Sequence, residues 1–163
     1  MLYWCKILSV ILVNFASCGE IMAICTFFGH RDCPNTIKSR LQETLIDLIT
    51  HQDVDMFYVG HNGQFDTIVH STLKQLKADY PNIDYAVVLA YMPSNKQEHK
   101  DCSDTLLPEG IETVHPRYAI SWRNNWMLQQ SDYVITYITH TWGGAAQFAK
   151  KAQRKSKKVI NLA

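Results

Sequence analysis

The chain has 163 residues, the size of one domain, and 47% of them are apolar, enough for a buried core. With a formal net charge of +1, nothing in the balance demands nucleic acid, an anionic membrane or an acidic partner. The five cysteines, Cys5, Cys18, Cys25, Cys33 and Cys102, are odd in number and contain no C-x-x-C pair, so they read as thiols of a reduced, cytoplasmic protein rather than a disulfide scaffold or a metal site.

Residues 1–18 (MLYWCKILSVILVNFASC) have the outline of a short signal peptide, with Lys6, an apolar run from Ile7 to Phe15 and small residues after it. That run is short for a bilayer span. Gly19-Glu20-Ile21 corresponds to purine-rich codons like those of a bacterial ribosome-binding site, and a core strand begins directly after Met22. Residues 1–21 are therefore read as a leader assigned to the chain by a mistaken start, with a true signal or lipid anchor as the alternative. Residues 22–163 are the domain.

From Ala23 onward apolar runs and amphipathic stretches alternate. Ala23–Phe28 reads as a buried strand, and the spacing of Ile37, Leu41, Leu45, Leu48 and Ile49 predicts a helix opened by Pro34-Asn35-Thr36. A short strand at Asp55–Val59 leads to a helix with Phe65, Ile68, Val69, Thr72, Leu73 and Leu76 on one face, which stops near Tyr80-Pro81. Asp84–Met92 is the third strand. Pro93–Pro116 is polar and without period, a length of loop that is usually functional or mobile. A helix at Ala119–Gln130, a strand at Tyr133–Ile138, a helix after Gly143-Gly144 and a strand at Val159–Leu162 complete the chain. This alternation predicts one doubly wound α/β domain with helices on both faces of a mostly parallel five-stranded sheet. Right-handed crossovers favour the order 3-2-1-4-5, whose winding reverses between the first and fourth strands. Ligands of such sheets bind at the carboxyl edge, at that reversal.

Four motifs fall on or near this edge. FFGHRD (Phe27–Asp32) offers Gly29 for a tight exit, Arg31 for a two-pronged phosphate contact and His30 for a hydrogen bond or proton. VGHNGQFD (Val59–Asp66) brings Gly60, Asn62 and Gly63 to a helix start, where Asp66 either complements the helix dipole or meets a ribose hydroxyl. SWRNNWML (Ser121–Leu128) sets Arg123 and Asn124 beside Trp126, which fits contact with a base; the plain alternative is tryptophan in the core and asparagine on the surface. HTWGGAAQF (His140–Phe148) places Gly143 and Gly144 at a helix N-terminus, where free N–H groups and the helix dipole attract anions, with Thr141 as a cap or phosphate contact. The basic run Lys150–Lys158 reads as a solvated helix end, so nucleic acid is not expected as a partner. No metal-ligand spacing, P-loop or G-x-S-x-G elbow is present.

Together these motifs resemble the YpsA-like branch of the SLOG superfamily, a Rossmann-like group that includes DprA-type proteins and the Lonely Guy phosphoribohydrolases. The resemblance runs from about Met22 to the end. It implies a nucleotide-derived ligand held by Gly29, His30, Arg31, Gly60, Asn62, Gly63, Asp66, Arg123, Asn124, Trp126, Thr141, Gly143 and Gly144. The phosphoribohydrolase branch carries P-G-G-x-G-T-x-x-E; here Trp142 replaces the proline, Ala146 and Gln147 replace Gly-Thr, and Lys150 replaces the glutamate. Cleavage of an N-glycosidic bond needs an acid and a stabiliser for the developing positive charge. With the glutamate gone, only Asp66 and Arg123 are weak catalytic candidates. The expectation is a cytoplasmic binding or sensing domain for a phosphate-bearing, nucleotide-derived small molecule that needs no cofactor, metal or membrane. The alternatives are a nucleoside-monophosphate N-glycosidase and a protein- or DNA-interaction module. The resemblance leaves a homodimer open.

Overall fold

A computed structural model describes residues 23–92 and 104–163. The leader expected at 1–21 and the first part of the irregular Pro93–Pro116 segment lie outside the described residues. The elements in chain order are β1 (Ala23–Gly29), a 3-10 turn (Asn35–Ile37), α1 (Lys38–His51), β2 (Val54–Val59), α2 (Gln64–Asp79), β3 (Asp84–Val88), β4 (Thr105–Leu106), a second 3-10 turn (Ile111–Thr113), α3 (Pro116–Gln130), β5 (Tyr133–Tyr137), α4 (Gly144–Arg154) and β6 (Lys158–Asn161). Among the described residues the sheet has six parallel strands in the order β4-β3-β2-β1-β5-β6.

The expected doubly wound α/β architecture is the one found, with one strand added. The two-residue β4 extends the edge beside β3. The third strand ends at Val88 rather than Met92. One more ladder bond follows it, from Leu89 N–H to the Leu106 carbonyl at 2.9 Å, and β4 offers no further residues to pair. α3 starts at Pro116, three residues before the expected Ala119; a proline lacks the N–H that a first helical turn leaves unpaired, and the His115 side chain caps the start by accepting from Arg117 N–H.

Side-chain alternation along the central strands divides the core into two layers. Cys25 and Phe27 of β1 and Ile135 of β5 join Leu41, Leu45 and Leu48 of α1 and Phe65, Val69 and Leu73 of α2. Phe28 and Val134, one position along, join Leu128 of α3 and Phe148 and Ala152 of α4 on the opposite face. Phe28 stacks on Phe148 with centroids 5.2 Å apart. With β1 central and β2 and β5 on either side, the exits of these three strands share the carboxyl edge, and the winding reverses between β1 and β5.

Candidate functional site

The β1 and β2 exit loops are packed into one another. His30 N–H donates to the Tyr137 carbonyl, and Gln64 N–H donates to the Arg31 carbonyl, so the first turn of α2 is tied to the β1 exit. An open depression of about 640 Å³ lies here, lined by Arg31, Asp32, Cys33, Pro34 and Gln64. Arg31 is exposed, and its guanidinium makes no hydrogen bond or ion pair with another described residue.

Three glycines expected to face a ligand have packing reasons instead. A Cβ on Gly29 would stand 2.3 Å from the Phe65 ring, so the α2 core residue requires a glycine there. A Cβ on Gly60 would fall 2.5 Å from Asp66 Oδ2 and 3.0 Å from an Arg123 nitrogen. Gly63 has φ +138° and abuts the Arg31 backbone.

Arg123 does not present itself to a ligand. It is 2% exposed, and its guanidinium donates to the Val88 carbonyl at 2.8 Å and to Asn62 Oδ1 at 2.9 Å. It is a strut from α3 to the end of β3 and the β2 exit, with Nε buried and without a hydrogen-bond partner among the described residues. Asp66 accepts from Asn62 N–H at 2.8 Å. Burial raises the Asp66 pKa, against the pull of that N–H and of the Arg123 charge, and burial lowers that of Arg123. Both groups thus serve the Asn62 loop from below. Trp126 is half-buried against Tyr58 of β2, with centroids 5.2 Å apart, and Asn124 is partly buried on α3. The expected base-contacting trio is therefore turned largely to the domain's own packing.

The β5 exit is different. Thr141, Trp142, Gly143 and Gly144 are all exposed. Gly143 is the N-cap residue of α4, at φ +90°. Thr141 is not the cap: no side chain bonds the first turn. Among the described residues, a Cβ on either Gly143 or Gly144 would meet nothing within 4 Å. Gly143 is explained by its positive φ; Gly144 is required neither by φ nor by a neighbour. The loop itself is pinned. Asn161 accepts from Ile138 N–H and donates to the Ile138 carbonyl, and the Lys150 ammonium reaches the Thr141 carbonyl at 3.4 Å. Lys150 thus puts a cation beside the α4 start.

Sequence reasoning passed over His140 and Trp142. The His140 ring stacks on His30 at 3.6 Å and on Trp142 at 3.8 Å. His30 is held toward its neutral form by burial first and by His140 second; a backbone hydrogen bond at His140 and the Asp32 charge oppose this. Its Nε2 is buried without a hydrogen-bond partner among the described residues. The available signal was a His-x-Trp pair directly before a glycine pair at a strand exit.

Among the described residues no helix is long and apolar enough to cross a membrane, and no cluster of His, Cys, Asp or Glu could hold a metal. No protein-family model and no curated protein matches the chain. The fold is similar to that of DNA processing protein A (DprA) from Streptococcus pneumoniae, with a TM-score of 0.63 and 16% identity, over 86% of this chain and 50% of that one. The chain thus spans about half the length of that protein. The likeness holds at the level of the fold.

Proposed function

We propose that the domain is a cytoplasmic binding or sensing module of the YpsA-like kind, and that it takes a phosphate-bearing, nucleotide-derived small molecule at the β5 exit without a resident cofactor. The observation that carries this reading is Gly144. A glycine at the first position of a helix, exposed, outside the positive-φ region and with open space where its side chain would be, is demanded by no contact among the described residues. It has a use if a ligand approaches the backbone closely. The surroundings suit an anion: a helix start with no side-chain cap, the positive end of the α4 dipole, and the exposed Lys150 ammonium at the Thr141 carbonyl.

Catalysis has less support. Asp66 is occupied with Asn62 N–H and tucked behind Gly60, and Arg123 is enclosed, so neither is offered to a ribosyl centre. The fold neighbour is a DNA processing protein, which makes DNA a second arm of the test. The experiment is a thermal-shift and calorimetric panel of nucleoside phosphates, dinucleotides, cyclic nucleotides and short DNA. A nucleoside phosphate that stabilises the protein and binds at the micromolar to low-millimolar level is expected. A folded protein with no small-molecule binder at millimolar concentration overturns the proposal. Release of free base and ribose 5-phosphate, abolished by Asp66→Asn, would make the domain an enzyme instead.

A further inference from the structure

Two rings that each touch a third and lie within 21° of its plane must take its opposite faces, so His140 is sandwiched between His30 and Trp142. The inner end of this stack is anchored, because the His30 backbone is bonded to Tyr137 of β5 and the ring is partly buried. The middle is fixed by His140 Nδ1, 3.0 Å from the Trp142 carbonyl. The outer end is Trp142, 71% exposed, with one face covered by His140 and the other open.

An exposed tryptophan held in place by two imidazoles is a preformed flat surface. Its neighbours along the chain, Thr141, Gly143 and Gly144, are exposed and carry no apolar bulk. Three other large side chains with apolar surface are exposed among the described residues: Tyr91 and Met92 follow β3, which is separated from β5 by β2 and β1, and Tyr118 lies in the first turn of α3, where its ring packs with His115 and the Arg117 guanidinium rather than with Trp142. A protein partner would need a contiguous apolar patch, and a single ring in polar surroundings is not one. It fits a flat heterocycle whose edges stay in water and whose face stacks. The exposed Lys150 ammonium, at the Thr141 carbonyl of the same loop, favours an anionic owner of that heterocycle.

We infer that the open face of Trp142 stacks the base of the ligand, so that the ligand is a nucleobase bearing a phosphate, not a sugar phosphate alone. The inference rests on the reading of the α4 start as the phosphate site. It moves the base contact from Trp126 and Arg123 to Trp142. The base comes either from a free nucleotide or from the end of a single strand; stacking on one face suits both.

The test compares AMP with ribose 5-phosphate, by calorimetry and by quenching of tryptophan fluorescence, on wild type, Trp142→Ala and Trp142→Phe. AMP is expected to bind wild type about tenfold or more tighter than ribose 5-phosphate, the scale of one base–aromatic stack. Trp142→Ala should bind the two compounds equally, and Trp142→Phe should regain part of the difference. Equal binding of both compounds by wild type, or a preference for AMP that survives Trp142→Ala, overturns the stacking while leaving the phosphate site standing. Binding of neither compound to folded wild type overturns both. A short 5′-phosphorylated single strand that binds tighter than AMP in the same Trp142-dependent way identifies the base as part of a strand; tighter AMP identifies a free nucleotide.

Discussion

Removing Arg123 should cost more stability than any other single polar change in the described domain. Its side chain is the bulkiest of those fully buried, and it holds the ends of β3 and the β2 exit together through Val88 and Asn62. In Arg123→Ala the Val88 carbonyl loses a buried donor, which costs about 1–3 kcal/mol, while Asn62 is exposed and finds water. The cavity and the loss of the cation near Asp66 bring the total to about 3–5 kcal/mol. Arg123→Met refills much of the volume with no charge to desolvate, so its cost falls to the orphaned carbonyl, about 1–2 kcal/mol. At roughly 2–4 °C per kcal/mol for a chain of this size, the alanine variant should melt about 6–20 °C lower. Urea unfolding followed by circular dichroism, with unchanged m-values, measures both. An alanine variant within about 0.5 kcal/mol of wild type, the ordinary range of a surface change, would refute the strut, as would a methionine variant less stable than the alanine one.

Gly29→Ala should lower stability by about 1–3 kcal/mol, because the added methyl has to displace the Phe65 ring from a packed core; Gly29→Ala combined with Phe65→Leu should recover part of that loss in the same unfolding assay. Acid should weaken the fold through His30. Its folded pKa lies below its unfolded value near 6.5, so the unfolded chain binds the proton more tightly, and the contribution is present above about pH 6.5 and lost as pH falls below it toward the folded pKa. The stability difference between wild type and His30→Phe, followed from pH 8 to pH 5, should be flat at the upper end and turn against wild type below; a difference that is flat throughout contradicts this. Cys25, fully buried and with its thiol pKa pushed up by burial, should react with maleimide at neutral pH only as fast as the protein opens, whereas Cys33, pushed up to about 11 but lining the open depression, should label slowly and ahead of Cys25; prompt labelling of Cys25 in the folded state would contradict its placement.

The architecture was legible because both periods are regular: Ala23–Phe28 and Tyr133–Ile138 are apolar runs of strand length, and α2 has its apolar residues on one helical face. The reversal between β1 and β5 follows from crossover handedness alone. β4 was not legible, since two residues of pairing in a proline-rich segment have no pattern of their own. Arg123 was misread because its asparagine neighbours look like a polar surface. Yet Ala119, Arg123 and Met127 fall four apart on one stripe, and all are buried; an arginine inside an apolar stripe was the clue. The glycines looked alike in sequence. Gly29 and Gly60 are set by residues on other elements, which only the folded chain brings near, whereas Gly144 stands apart because nothing comes near it.

Gly144→Ala separates fold from function most directly. In the fold alone the change meets no neighbour and no strain, so stability should stay the same or rise by about 0.4–1 kcal/mol. If the start of α4 receives a phosphate, calorimetric titration with AMP should show affinity reduced by about tenfold or more, roughly 1.4 kcal/mol, in a protein at least as stable as wild type. AMP binding equal in wild type and Gly144→Ala would contradict the assignment of this turn as the binding site.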